Sequence, residues 1–422
     1  MAHLLIIELP GGNDTDIVQA ALDRGDEFTF LSAQLDHYRR QPCVSALLAA
    51  AREQIEVPSF TYAEVERRVL AVNATRRIDA VLCLIDIRLI EAARLARRLG
   101  LRHVNPASAE LLRDKFSVRR RLLERGLAQP DFALAESNEE IRQAVEQLGL
   151  PVLIKPADGY GSQNIVVLRD PQDLDPLLSP LHDLLPCRAD YGLGACANDR
   201  VLVERYMTGR FIGCDTLTSD GRHRLLGVHD KLLFAPPSFA MRGSCFTPNA
   251  PGFAALQHYV FTILDAVGFD HGAAHIELML TADGPRLVEI NPRLVGAKIP
   301  RLVGYALGCS LHADLISLHL GEGLPARICA EPQAAVLRWV VADHAGNLDR
   351  VDLPPSHDPH IRCVEMLKRA GDPVRPPFEN ADRIGYVMVC GPVLSEAERL
   401  ADGFVAQAKV RLREGVTTCT AA

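Results

Sequence analysis

Over the first hundred residues the chain alternates short apolar runs with amphipathic stretches of helical period. "HLLIIEL" (3–9) predicts a strand that runs into Pro10-Gly11-Gly12, a helical pattern begins at Asp16, and "EFTFLS" predicts a second strand. The unit recurs as "DAVLCLI" (79–85), the helix "RLIEAARLARRLG" closed by Gly100, and an extended "RHVNP". Strands alternating with helices of this length predict a parallel α/β sheet. The Gly pair after the first strand does not fit G-x-G-x-x-G and reads as a tight turn.

Beyond residue 105 the pattern changes. "SAELLRDKFSVRRRLLERG" (108–126) predicts one helix with Leu112, Phe116 and Leu123 on a common face, Lys115 near its start and Gly126 at its end. In "PVLIKPADGYGSQNIVVL" (151–168) a buried strand delivers Lys155, a loop carries Asp158, Gly159, Gly161 and Ser162, and a second apolar strand follows. Glycines let backbone N–H groups ring an anion and the lysine adds a point charge, so a phosphate suits this loop; an ordinary hairpin is the alternative. "RVLVERYMTGR" (200–210) reads as an edge strand ending in Glu204, with a short link whose backbone can face a heteroaromatic base; a salt-bridged strand end is the alternative.

The strongest chemical signal is a hairpin. "HIELML" (275–280) and "RLVEIN" (286–291) alternate about an Asp-Gly turn, with His275, Glu277 and Met279 on one face of the first strand and Leu287, Glu289 and Asn291 on one face of the second. Folded about residue 283, Glu277 lies opposite Glu289 and His275 opposite Asn291. Facing carboxylates repel unless a cation or proton sits between them, and two carboxylates with an amide oxygen suit Mg²⁺. A solvated acidic hairpin is the alternative.

Composition narrows the classes. At 422 residues and 48% hydrophobic, the chain can bury about three cores of roughly 150 residues each. Lys plus Arg number 46 against 53 Asp plus Glu, a net charge of −7 with no basic block interleaved with aromatics, which argues against a nucleic-acid partner. Apolar runs such as "VSALLAAA" (44–51) fall short of the ~20 residues of a membrane span, and "LLII" is too short for a signal segment, so a cytoplasmic protein is expected. Eleven cysteines without a C-x-x-C pair read as reduced, mostly buried thiols.

In order along the chain, Lys115, Lys155 with its Gly loop, Glu204, then Glu277, Glu289 and Asn291 resemble the ATP-grasp superfamily, and the closing block from "RICAEPQAAVLRWVV" to "FVAQAKVRL" looks like the carboxylate–amine ligases typified by L-amino acid ligases. The resemblance implies an α/β and α+β protein of the ATP-grasp fold: a parallel-sheet α/β domain over 1–106, linker helices and a lid over 107–205, and a metal and substrate domain with a terminal α+β extension over 206–422. It implies ATP with Mg²⁺, Mn²⁺ being an alternative. Lys115, Lys155, Gly159, Gly161 and Ser162 would meet the phosphates. The backbone of Arg205 and Met207 would hold adenine beside Glu204, and Glu277, Glu289 and Asn291 would hold the metal. Arg293 would stabilise an acyl phosphate, with His275 either a neighbour or a core histidine. The partners implied are a small-molecule carboxylate and an amine; a homodimer is compatible with it.

Two departures stand out. Where the family carries a ribose-gripping acid seven residues after the hinge Glu, this chain has Phe211, which leaves Arg210 or Asp215 for the ribose. Where amino acid ligases tend to carry a glutamate for the substrate ammonium, it has Met241 and Arg242. Arg242 suits an acid bearing a second carboxylate rather than an ammonium; dipeptide formation is the alternative function, and a side chain that points into solvent is the alternative reading of Arg242. A bicarbonate-activating enzyme and a nucleotide-binding regulator without turnover are the other readings this sequence allows.

Overall fold

The computed structural model describes residues 1–159, 165–178, 187–188, 195–196, 200–235, 240–325 and 331–413. The N-terminal strands form a four-stranded parallel sheet in the order Glu53–Glu56, Glu27–Ser32, His3–Ile7, Ala80–Cys83. Its central strand, His3–Ile7, is buried throughout, as expected where helices cover both faces. Leu4 and Ile6 look one way, into a core shared with Leu302, Leu315, Leu337 and Trp339. Leu5 and Ile7 look the other way, onto Val65, Val69 and Leu95. One face of the first sheet is thereby welded to the C-terminal half of the chain. At the strand's exit Gly11 and Gly12 take φ of 60° and 70°, a tight left-handed turn that glycine makes without strain.

A second sheet is antiparallel, in the order Phe132–Ala135, Val201–Arg205, Val152–Pro156, Val166–Leu168. The third holds eight antiparallel strands, beginning Gly284–Asn291, Gly272–Thr281, Arg210–Ser219, Arg222–Leu233, Met241–Thr247 and continuing through Ala334–Val340 and Gly385–Gly391 to Ile361–Met366. Among the described residues no helix is long and apolar enough to cross a membrane. Cys214, Cys245 and Cys390 are buried, whereas Cys43 is exposed.

Four local expectations are corrected. "RHVNP" forms no strand; Val104 is buried, and Asn105 caps the helix Pro106–Leu112 by accepting a hydrogen bond from Ser108 N. The stretch 108–126 is two helices, because Asp114 breaks the run and caps Lys115–Glu124 through Ser117 N at 2.9 Å. That break rotates the second helix, so Val118 and Leu122 are buried while Leu123 is 58% exposed. Val201–Arg205 is an interior strand, not an edge, flanked by Phe132–Ala135 and Val152–Pro156. In the acidic hairpin a bulge after Glu277 pairs Leu287 with Leu278, which turns Leu287 into the core and away from Glu289.

Candidate active site

The hairpin pairs Glu277 with Glu289 and His275 with Asn291, the register that alternation predicts. Neither carboxylate faces the other bare. Lys231 from the neighbouring long strand Arg222–Leu233 is paired with Glu277, and Lys115 Nζ lies 3.0 Å from Glu289 Oε1 while also donating to Gly159 O at 2.6 Å. Burial alone would raise the Glu277 pKa, but Lys231 and His275 outweigh it and hold the carboxyl below its usual range. Arg293, just past the hairpin, is clamped by Asp86 at 2.7 Å and donates to Asn291 Oδ1 at 3.3 Å. Glu277, Glu289, Asn291, Lys231, Arg293 and Arg383 line a cavity of about 210 Å³.

These side chains offer hard oxygens aimed at cations, the donor chemistry Mg²⁺ requires. Among the described residues no group of three His, Cys, Asp or Glu is arranged for a metal, so two carboxylates and one amide would leave the remaining positions to water and phosphate.

Behind the hairpin lies a buried cluster that fixes the second sheet against it. Glu204, 3% exposed, accepts from Arg119 Nε at 2.5 Å and from Lys155 Nζ at 2.7 Å. Burial works against its charge, but Arg119 and then Lys155 overcome that and push the pKa down to about 2. Burial also lowers the Lys155 pKa, against the pull of Glu204. Arg119 Nη2 and Lys155 Nζ both reach Val288 O, at 3.2 and 3.5 Å, and so tie this sheet to the hairpin backbone.

Several expected residues stand differently. Glu204 is pinned by two cations and is a strut rather than a free acid. The Arg205 N–H is spent on Asp131 O at 2.9 Å, and Met207 lies beyond the end of the strand pairing. Asp215 is not available to a ribose: it is 4% exposed, is bonded to His229, and sits 2.6 Å from His275 Nδ1. Burial would raise its pKa, but the two imidazoles hold it well below the carboxylate range. Arg210 is paired with Asp230 instead. Arg242 is exposed and does not line the cavity, whereas Met241 does; the acid-binding role read for Arg242 is not supported by its position. Gly161 and Ser162 lie outside the described residues.

Sequence reasoning missed Arg119, Lys231, Asp86 and His229, and it read Asp215 for a ribose rather than for its imidazole partners. Asp86 had a signal, since it follows an apolar parallel strand at its carboxyl end, where open α/β sheets place ligands. Gly213 had another. A Cβ there would lie 2.5 Å from His275 Cε1, so only glycine admits the imidazole.

Residues 148–300 match the ATP-grasp domain, and residues 338–413 match the L-amino acid ligase C-terminal domain 2. The chain is 28% identical over 317 residues to the uncharacterized protein y4rH of Sinorhizobium fredii, covering 73% of this chain and 63% of that one. It is 25% identical over 415 residues to carnosine synthase 1 of Homo sapiens, covering 94% of this chain and 49% of that one. It thus spans less than two thirds of either relative's length. In structure it is similar to the L-amino acid ligase from Bacillus licheniformis, with a TM-score of 0.81 and 18% identity over 98% of this chain and 99% of that one. Residues 148–300 thus carry an ATP-grasp domain and residues 338–413 an L-amino acid ligase C-terminal domain, and the chain as a whole shares its fold with an L-amino acid ligase.

Proposed function

We propose that the protein is an ADP-forming ligase that joins a small-molecule carboxylate to an amine through an acyl phosphate. The observation that carries this reading is the convergence of Glu277, Glu289 and Asn291 with Arg293 on one 210 Å³ cavity in an ATP-grasp chain. The L-amino acid ligase C-terminal domain and the likeness to carnosine synthase 1 support amide formation over other ATP-grasp chemistry.

In this reading ATP lies between the sheet that carries Lys155 and the acidic hairpin. Lys115, held at the mouth by Glu289 and Gly159 O, offers its ammonium to the phosphates, and Lys155 adds positive potential from the buried side. The Arg205 carbonyl and the Met207 N–H would contact the adenine. Glu277, Glu289 and Asn291 would hold Mg²⁺, which when bound neutralises charge on the transferring phosphoryl group. Arg293, held by Asp86, Asn291 and Leu294 O, would bring its charge and its remaining Nη1 hydrogen to the acyl phosphate and to the tetrahedral adduct that the amine forms, and Asp86 fixes its orientation. The scheme divides the chain into an α/β domain over 1–106, a lid over 107–205 and a metal and substrate domain over 206–422. The test is an acid-by-amine substrate matrix read by ADP release and by mass spectrometry of the product. An amide formed with stoichiometric ADP supports the reading. AMP with pyrophosphate, or no amide from any pair, defeats it.

A further inference from the structure

A second cavity of about 440 Å³ adjoins the first, and both share Arg293, the segment Val295–Ala297, Asn380 and Arg383. Its acids are already matched. Asp14 is paired with Lys298 at 2.9 Å and Asp86 with Arg293 at 2.7 Å. Arg383 is the cation left over. It is 7% exposed, its Nη2 donates to Asn380 Oδ1, and its Nε has no hydrogen-bond partner among the described residues. Its guanidinium carbon sits 4.2 Å above the ring of Trp339, and the Trp339 Nε1, also buried, has no partner among the described residues either.

A buried guanidinium without an acid is costly, and a carboxylate that accepts from it repays the cost. Burial with nothing to offset it pushes the Arg383 pKa down to about 9. Both side chains line this cavity, and their two buried N–H donors without partners among the described residues make its wall a candidate cradle for a planar oxyanion. Asn380 sets the cradle's position, because its Oδ1 also accepts from Met241 N at 3.1 Å.

We propose that Arg383, with Trp339 Nε1, receives a substrate carboxylate that does not react, while Arg293 attends the carboxylate that does. The assignment rests on the ligase reading and gives it a substrate class. One partner of the reaction carries a spare carboxylate, which is either the second carboxylate of the acid or the free carboxylate of an amino acid serving as amine. Both sources share the chemistry, and both place the spare group in the larger cavity with the reacting atoms at Arg293.

Trp339 is the chain's single tryptophan, so its emission reports directly on this site. The test titrates the protein with two matched pairs, a dicarboxylate against the monocarboxylate of equal length and an amino acid against its amide. One pair is expected to give a saturable change in emission for the member with the spare carboxylate, with binding at least about 10²-fold weaker for its mate. The responding pair identifies the source. Arg383→Met should abolish the preference and Arg383→Lys should retain part of it, since a lysine keeps the charge without the planar fork. Equal binding of both members, no saturable response, or a preference that survives Arg383→Met would overturn the proposal. The wild-type comparison decides without any variant. Amide formation without a carboxylate preference removes this assignment and leaves the ligase reading standing, whereas the preference without ADP formation does the reverse.

Discussion

Arg119 and Arg383 are both buried arginines beside the same hairpin, yet their surroundings are opposite. Arg119, 2% exposed, gives hydrogen bonds to Glu204, to Gln129 Oε1 at 2.8 Å and to Val288 O, so its charge and its donors are consumed within the fold. Arg383 has an amide and an aromatic face but no acid among the described residues. The difference separates two uses of buried charge. Where the protein supplies both partners, the ions hold elements together; where it supplies one, the missing partner is sought outside the chain.

The largest expected effect therefore belongs to the satisfied side. Arg119→Met leaves Glu204 buried with Lys155 alone and should cost about 3–5 kcal/mol in urea unfolding. A loss under about 1 kcal/mol would show that the cluster is no strut. The same pair has a pH signature. The Glu204 pKa lies at about 2 in the folded chain against an ordinary 4.5, so its contribution to stability is fully present above about pH 4.5 and is lost as pH falls toward 2. Acid unfolding followed by circular dichroism should be shallower over that window in Arg119→Met than in wild type. Equal slopes would separate Glu204 from Arg119.

Next comes the hairpin. Glu289→Gln keeps shape while removing a charge that faces Lys115 and the proposed metal, and ADP release should fall by about 10²–10³-fold with the far-ultraviolet spectrum intact. Turnover close to wild type would remove Glu289 from the phosphate chemistry. The smallest effect is at Arg242, which is exposed and off the cavity; Arg242→Ala should leave KM for the acid within about twofold, as expected of a surface change. A large rise in KM there would return the anion-binding role to Arg242 and weaken the contrast with Arg383.

The two sides also differ in how far the sequence disclosed them. The facing pairs of the hairpin were legible because alternation at period two and one Asp-Gly turn determine the register from nearby residues. The bulge beyond Glu277 was not, since an extra residue leaves no mark in the alternation. The strand–helix texture of the first hundred residues foretold the parallel sheet, while the Asp114 break was hidden inside a basic run that reads as one continuous surface helix. Arg119 lies in that run among Arg120 and Arg121, and only the three-dimensional fold singles it out for Glu204. Arg383 and Trp339 stand 44 residues apart on different segments, so their juxtaposition needs the long-range pairing of Ala334–Val340 with Gly385–Gly391. The role read for Arg242 rests on a matching loop position and on chemical type, and neither says which way a side chain points.

In the proposed reaction a carboxylate is activated by direct attack on the γ-phosphate at the hairpin. Single-turnover reaction of the acid substrate labelled with ¹⁸O in its carboxylate, followed by mass analysis of the released phosphate, tests it most directly. Direct attack carries one ¹⁸O into inorganic phosphate for each amide formed, with ADP as the nucleotide product. Unlabelled phosphate, or label recovered in AMP, would contradict it.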